Sequence, residues 1–383
     1  MHLIPYKPFS VLCALSFILF SCSKNEEYIS INSPSENIEV GVSIRNGQLF
    51  YAINFNGKPV ITPSQLGIIF KEGPSLSDDF EFIDVSFNEV DESWEQPWGE
   101  EKKITTNYRE GTIALQSGGS SSQRLNLIFR VFDDGVAFRY HVEELGQYKQ
   151  VVIADEITAF QIVSDATSWW IKAYHPNRYE QLYTSTPISS IDTVHTPLTM
   201  RLDDGTHLSI HEAVLENYSS MQLAGNHSTN LQCDLASWAN GDKVRTSIPF
   251  FTPWRTIKIV NSASELVTSN LTLNCNPPNK LGDVSWIKPS KYIGIWWGMI
   301  IGKWTWKEGL RHGATTKRGK EYVDFAAKHG FDEVLIEGTS AGFESLFPGD
   351  TVTTNFTETT ADFNLSEVQK YAKSKGVSLQ GYH

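Results

Sequence analysis

The sequence predicts a large two-sheet β sandwich followed by the first three strands of a truncated (β/α)8 barrel. Three observations carry that expectation. Between Ile31 and Cys275, apolar and polar residues alternate in short runs broken by turn dipeptides. From Lys291 to His383 the pattern changes, and apolar strands are followed by segments with helical spacing. The strand starts near 292, 334 and 377 are separated by 42 and 43 residues, as in a strand–helix array with inserted loops.

At the N-terminus, His2 and Lys7 precede an apolar stretch from Phe9 to Phe20, too short to span a membrane as a helix. It reads as an export signal, and 1–22 is assigned to it. Leu19-Phe20-Ser21-Cys22 resembles the lipobox of bacterial lipoproteins, which makes Cys22 the lipid-attachment residue; Phe20 is bulkier than usual there. The competing reading is a plain signal peptide cleaved near the same point. Either one takes the protein out of the cytoplasm, periplasmic or lipid-anchored to the outer membrane of a Gram-negative bacterium.

The sandwich is assigned to 28–280. Ile38, Val40, Val42 and Ile44 alternate with polar or small residues, Asn46-Gly47 turns the chain, and Leu49, Tyr51, Ile53 and Phe55 return it. Asn56-Gly57, Gly118-Gly119-Ser120-Ser121-Ser122 and Asp133-Asp134-Gly135 mark further turns, the last two flanking strands at 125–132 and 136–142. About 245 residues of this kind exceed a simple sandwich. Asn276-Pro277-Pro278-Asn279-Lys280 is a stiff connector to the second part, 281–383.

In that second part, 292–297 reads as a strand and 317–329 as a helix ended by Gly330. A second strand at 334–336 closes at Glu337, a helix follows near 365–375, and a third strand starts at Val377. A closed barrel needs eight such units, so the expectation is the front part of a longer protein, with a small open α/β domain as the alternative.

Net charge is −12, from 32 basic and 44 acidic residues, which disfavours phosphate backbones. No Walker loop, zinc-finger spacing or basic run points to nucleotide or nucleic acid. Eleven tryptophans and 14 tyrosines suit flat, partly polar ligands such as sugars, and equally a large core. Cys233 and Cys275 are too few for a thiolate zinc site, and their spacing leaves pairing open.

Several longer segments resemble glycoside hydrolase family 97. They are 90–100 (Val-Asp-Glu-Ser-Trp-Glu-Gln-Pro-Trp-Gly-Glu), 129–140 (Phe-Arg-Val-Phe-Asp-Asp-Gly-Val-Ala-Phe-Arg-Tyr), Thr252-Pro253-Trp254-Arg255-Thr256, Ser285-Trp286-Ile287-Lys288-Pro289, Gly294-Ile295-Trp296-Trp297 and His312-Gly313-Ala314-Thr315-Thr316. The resemblance implies an N-terminal β-super-sandwich, a (β/α)8 catalytic barrel and a Ca2+-dependent exo-acting α-glycosidase. Such enzymes release terminal α-linked glucose or galactose from an oligosaccharide substrate, using paired carboxyl groups across the scissile bond. In the family those carboxyls lie on the third and later barrel strands, and they are expected beyond residue 383. The alternative is a non-catalytic carbohydrate-binding or inert remnant of such an enzyme.

The resemblance also assigns residues. Glu212 matches the sandwich glutamate that ligates calcium, against the alternative of a surface strand glutamate. Glu337 matches a glutamate contacting the sugar in the innermost subsite, and His383 a sugar-binding or site-orienting histidine. Trp296 and Trp297 end the first strand, where alternation lets only one face the barrel mouth and sends the other to the core. Four positions depart from the family pattern: Thr339 and Phe343 replace tryptophans after Glu337, Ile300 replaces a histidine, and Cys275 interrupts a usually apolar-acidic stretch.

Overall fold

The structure, a computed structural model, describes residues 28–118, 123–174, 179–343 and 355–381. The export signal with Cys22, the centre of the 118–122 turn and His383 lie outside the described residues. No described helix is long and apolar enough to cross a membrane. The chain divides into two compact units, between Lys280 and Leu281.

The first unit is built on two large antiparallel sheets. The eight-stranded sheet begins with Tyr28–Asn32, Ile38–Arg45, Gln48–Phe55 and Lys58–Leu66, and continues through Ala159–Ile162, Asn230–Leu235, Met221–Gly225 and Thr193–His195. The expected hairpin forms with Ile38 opposite Phe55 and Arg45 opposite Gln48. Asn46 and Gly47 both take positive φ, 51° and 79°, the backbone a tight type I′ turn requires.

The ten-stranded sheet runs from the edge strand Glu81–Glu95 through Lys103–Ser117, Gln123–Phe132 and Gly135–Leu145 to Trp254–Val260 and His207–Ala213. Leu198–Arg201, Thr167–Trp170 and Thr184–Pro187 complete its far side, and Phe250–Phe251 pairs onto Gly135–Leu145. The edge strand carries Glu81, Asp84, Glu89, Asp91, Glu92 and Glu95, charges that discourage another chain from pairing there. A third, small sheet joins Val244–Ser247, Gln150–Glu156 and Ile68–Phe70.

One apolar core serves both large sheets. Phe138 of the ten-stranded sheet lies 4.9 Å from Tyr51 and 6.4 Å from Phe160 of the eight-stranded sheet, measured between ring centroids, with Phe129 at 5.2 Å on its own side. All four rings are buried. Cys233 belongs to this core and Cys275 to a separate cluster with Trp254 and Leu271, and both thiols are free. Burial pushes the Cys275 thiol up to about 12, so it stays protonated.

The second unit has a parallel sheet in chain order, Tyr292–Gly294, Glu333–Leu335 and Ser378–Gln380. Two helices, Thr316–His329 and Leu365–Ser374, pack on it through Val323, Ala326, Val368 and Ala372. The first is capped by the Thr315 hydroxyl, which accepts from Arg318 N, and stops at Gly330 with φ 70°.

The first strand is shorter than its apolar run suggested. It ends at Gly294, opposite Leu335, where the neighbouring strand also ends, and Trp296–Ile300 turns into a short helix. Gly298 permits this turn: a Cβ there would collide with the indole of Trp304. The alternation that sent one tryptophan to the core therefore does not apply. Trp296 is 40% and Trp297 62% exposed.

The ring stack between the sheets gives a direct test. Phe138→Ala should cost about 3–5 kcal/mol of sandwich stability in urea denaturation, through lost burial plus the cavity left behind.

Candidate functional site

In the parallel unit, Glu337 lies two residues past the end of its strand. Leu335 pairs with Gly294 on one side and Gln380 on the other, so Trp296 and Glu337 each follow the same sheet end by two residues. Ile336 is buried beneath, and Gly338 takes φ 83°, with Trp306 and Ala314 so close that a Cβ would lie 3.0 Å from the Trp306 ring. This turn fixes where Glu337 points.

The Glu337 side chain is only 9% exposed, and no described group hydrogen-bonds its carboxylate. Burial raises its pKa. Trp306, which closes on the Gly338 turn, packs against Phe343 at 5.1 Å, and elsewhere in the unit the Arg318 guanidinium sits 3.3 Å over Trp304. The rings of Trp296 and Trp297 stand 6.2 Å apart, both open to solvent. A largely enclosed carboxyl and two exposed indoles at the same sheet end suit a ligand with hydroxyls and flat apolar faces.

His312 was legible only as part of a motif. Its ring is buried, Nδ1 lies 2.8 and 2.9 Å from the two Asp362 oxygens, and Nε2 has no partner among the described residues. The Asp362 main-chain oxygen also accepts from Thr316. Fifty residues separate His312 from Asp362. No local pattern in the sequence could have joined them.

In the sandwich unit, Glu212 is buried rather than at the surface. It lies opposite Arg255 on the adjacent strand. Arg255 Nη1 donates to Glu212 Oε2 at 2.6 Å, while Nη2 and Nε form a fork to Glu156 at 2.6 and 2.9 Å. Glu156 also accepts from Thr158 and Tyr218, and Glu212 Oε1 accepts from Met221 N. One buried cation thus faces two buried carboxylates.

The two carboxylates differ. Burial alone would raise Glu156, but the forked Arg255 and the two hydroxyl donors overcome it and leave its pKa lowered. Glu212 has a single contact to Arg255, so burial prevails and its pKa is raised.

Glu212 tests poorly as a metal site by itself. Each of its oxygens already holds a donor, and among the described residues no group of three or more His, Cys, Asp or Glu could hold a metal ion. A carboxylate oxygen keeps a second lone pair, so Glu212 fits as one ligand of a larger set.

Comparison with known proteins places this arrangement among the glycoside hydrolases. The Glycosyl-hydrolase 97 N-terminal model matches residues 31–278 and the Glycoside hydrolase 97 model residues 296–383. The chain belongs to glycoside hydrolase family 97, the family that the sequence motifs resembled.

A family 97 enzyme from Pseudoalteromonas sp. strain K8, solved in complex with acarbose, is 42% identical with a TM-score of 0.88, covering 93% of this chain and 54% of its own. A retaining alpha-galactosidase of Bacteroides thetaiotaomicron is 24% identical over 98% of this chain and 58% of its own length. A beta-arabinopyranosidase structure, 20% identical with a TM-score of 0.75, shares the fold. The chain spans a little over half the length of these relatives.

Two measurements test the buried network. Arg255→Ala should destabilise the sandwich by about 3–5 kcal/mol in chemical denaturation, because it strands two buried carboxylates. The pH response follows from the raised Glu212, whose native form binds its proton more tightly than the unfolded form. Stability should therefore rise as pH falls from neutrality towards 4.5, its ordinary value. Glu156 acts oppositely, and its contribution is lost only below 4.5. Thermal melts of Glu212→Gln should lose part of the gain above pH 4.5 and keep the loss below it.

Proposed function

We propose that the chain supplies the sandwich and the leading strands of the catalytic (β/α)8 barrel of an exported α-glycosidase acting on terminal α-linked glucose or galactose. The observation that carries the reading is Glu337: a largely buried carboxyl with no hydrogen-bond partner among the described residues, at the C-terminal end of a parallel strand, where barrel sites form. Its carboxylate would accept hydrogen bonds from sugar hydroxyls, which no described residue offers it. Trp296 and Trp297 offer stacking faces beside the same sheet end.

Hydrolysis needs two carboxyl groups across the scissile bond. Among the described residues of this unit Glu337 is the most enclosed carboxylate as a whole residue, while Glu333, four residues earlier, buries one carboxylate oxygen. The acid and base are assigned, in this proposal, to residues outside the described set, with His383 as a further sugar contact. Calcium belongs to the same proposal: Glu212 would give one of the six to eight oxygens the ion takes, and the bound ion would supply a fixed positive charge. Export, with Cys22 as a lipid anchor, completes it.

A single carboxylate at the strand end also favours a second reading, a carbohydrate-binding unit without turnover. Purified protein incubated with aryl α-glucosides and α-galactosides separates the two. Turnover that Glu337→Gln reduces supports the glycosidase. Saturable sugar binding without turnover, weakened about ten-fold or more in Glu337→Gln by loss of a charged acceptor, supports the second. Absence of affinity for either sugar series contradicts both.

A further inference from the structure

A groove of about 510 Å3 opens on the sandwich unit between residues 217–219 and 236–245. Trp238 lines it and is 63% exposed. An indole held in solvent gains little from burial, yet its loop is firmly built. Trp238 N donates to Asp242 O at 2.8 Å, and Gly241 N donates to Trp238 O at 2.9 Å. The Asp242 carboxylate, 6% exposed, gathers Lys71 Nζ at 2.7 Å, Arg245 Nε and Nη2 at 2.9 and 2.7 Å, and Asn240 Nδ2 at 2.9 Å. The Arg245 guanidinium lies 5.6 Å from the Trp238 ring.

Polar groups accompany the indole. Asn217 is exposed, its backbone sits at φ 50°, and its amide has no partner among the described residues. Tyr218, the next residue, is anchored inward on Glu156 at 3.0 Å, which fixes the backbone that presents Asn217. Lys243 Nζ donates to Asp155 at 2.8 Å and Asp234 at 3.3 Å, leaving one of its three N–H groups.

Charge narrows the ligand. Lys71 and Arg245 share Asp242, and Lys243 lies between Asp155 and Asp234. Three cations thus face three carboxylates, so the groove wall carries no net charge to favour a phosphate or carboxylate. What remains is a flat apolar face with neutral or compensated donors, a combination suited to a pyranose ring and its hydroxyls.

We propose that this groove binds a neutral oligosaccharide, with Trp238 stacking on a sugar face and Asn217 and Lys243 donating to hydroxyls. The choice of a carbohydrate rests on the glycosidase reading above. A second groove of about 370 Å3 shares Arg245 and adds Tyr148, Gln150 and Ser247, so the bound chain has room to extend beyond one ring.

The test uses the intact chain titrated with panose and with raffinose, followed by tryptophan fluorescence and saturation-transfer NMR. Trp238→Ala and Asn217→Gly should each weaken binding, the former about ten-fold or more, with melting temperatures little changed because both residues are exposed and glycine accepts the φ of 50°. In a Trp297→Ala background, which removes a stacking face of the barrel-end site, the remaining binding should keep its dependence on Trp238 and Asn217. Binding that disappears with Trp297→Ala and survives Trp238→Ala overturns the groove while leaving the glycosidase reading standing. Absence of binding to either sugar overturns the groove. Binding that depends on Trp238 without turnover supports the groove and counts only against the catalytic reading.

Discussion

The sandwich depends on one buried cation. Arg255 is fully enclosed and faces Glu156 and Glu212, two carboxylates that would each be costly to bury alone. The three residues come from different places: Arg255 and Glu212 from adjacent strands of the ten-stranded sheet, Glu156 from the end of a strand in the small sheet. Thr158 and Tyr140 extend the network to the backbone of Gly67, so the small sheet is tied to the large one by polar bonds as well as packing. Such a network is costly when half satisfied, which makes its geometry specific.

That constraint reaches outward. Tyr218 donates to Glu156 from the segment carrying Asn217, and Met221 N donates to Glu212 a few residues later. The stretch between the two anchors forms one wall of the groove beside Trp238. A polar hub in the interior thus positions a surface that faces solvent.

Much of the fold could be read from residue order. The hairpin turning at Asn46-Gly47 and the helix ending at Gly330 are written in local turn and cap chemistry, and both appear where that chemistry puts them. The first parallel strand could not be read this way, because its length is set by its neighbour and by the fit of Trp304 against Gly298, neither visible in a local window. The site divides along the same line. Glu337 was readable as the residue closing an apolar strand. The partnership of Arg255 with Glu156, 99 residues apart, and of His312 with Asp362, 50 apart, are products of topology. Glu212 likewise matched a motif, but only the structure shows that it answers an arginine.

Amide hydrogen exchange on the native chain and on Arg255→Lys tests the network most directly, since lysine keeps the charge and loses the fork. The account predicts lost protection at Arg255 and also along Gln150–Glu156 and Met221–Gly225, with 281–383 unchanged. Loss confined to the residues flanking Arg255 would contradict it.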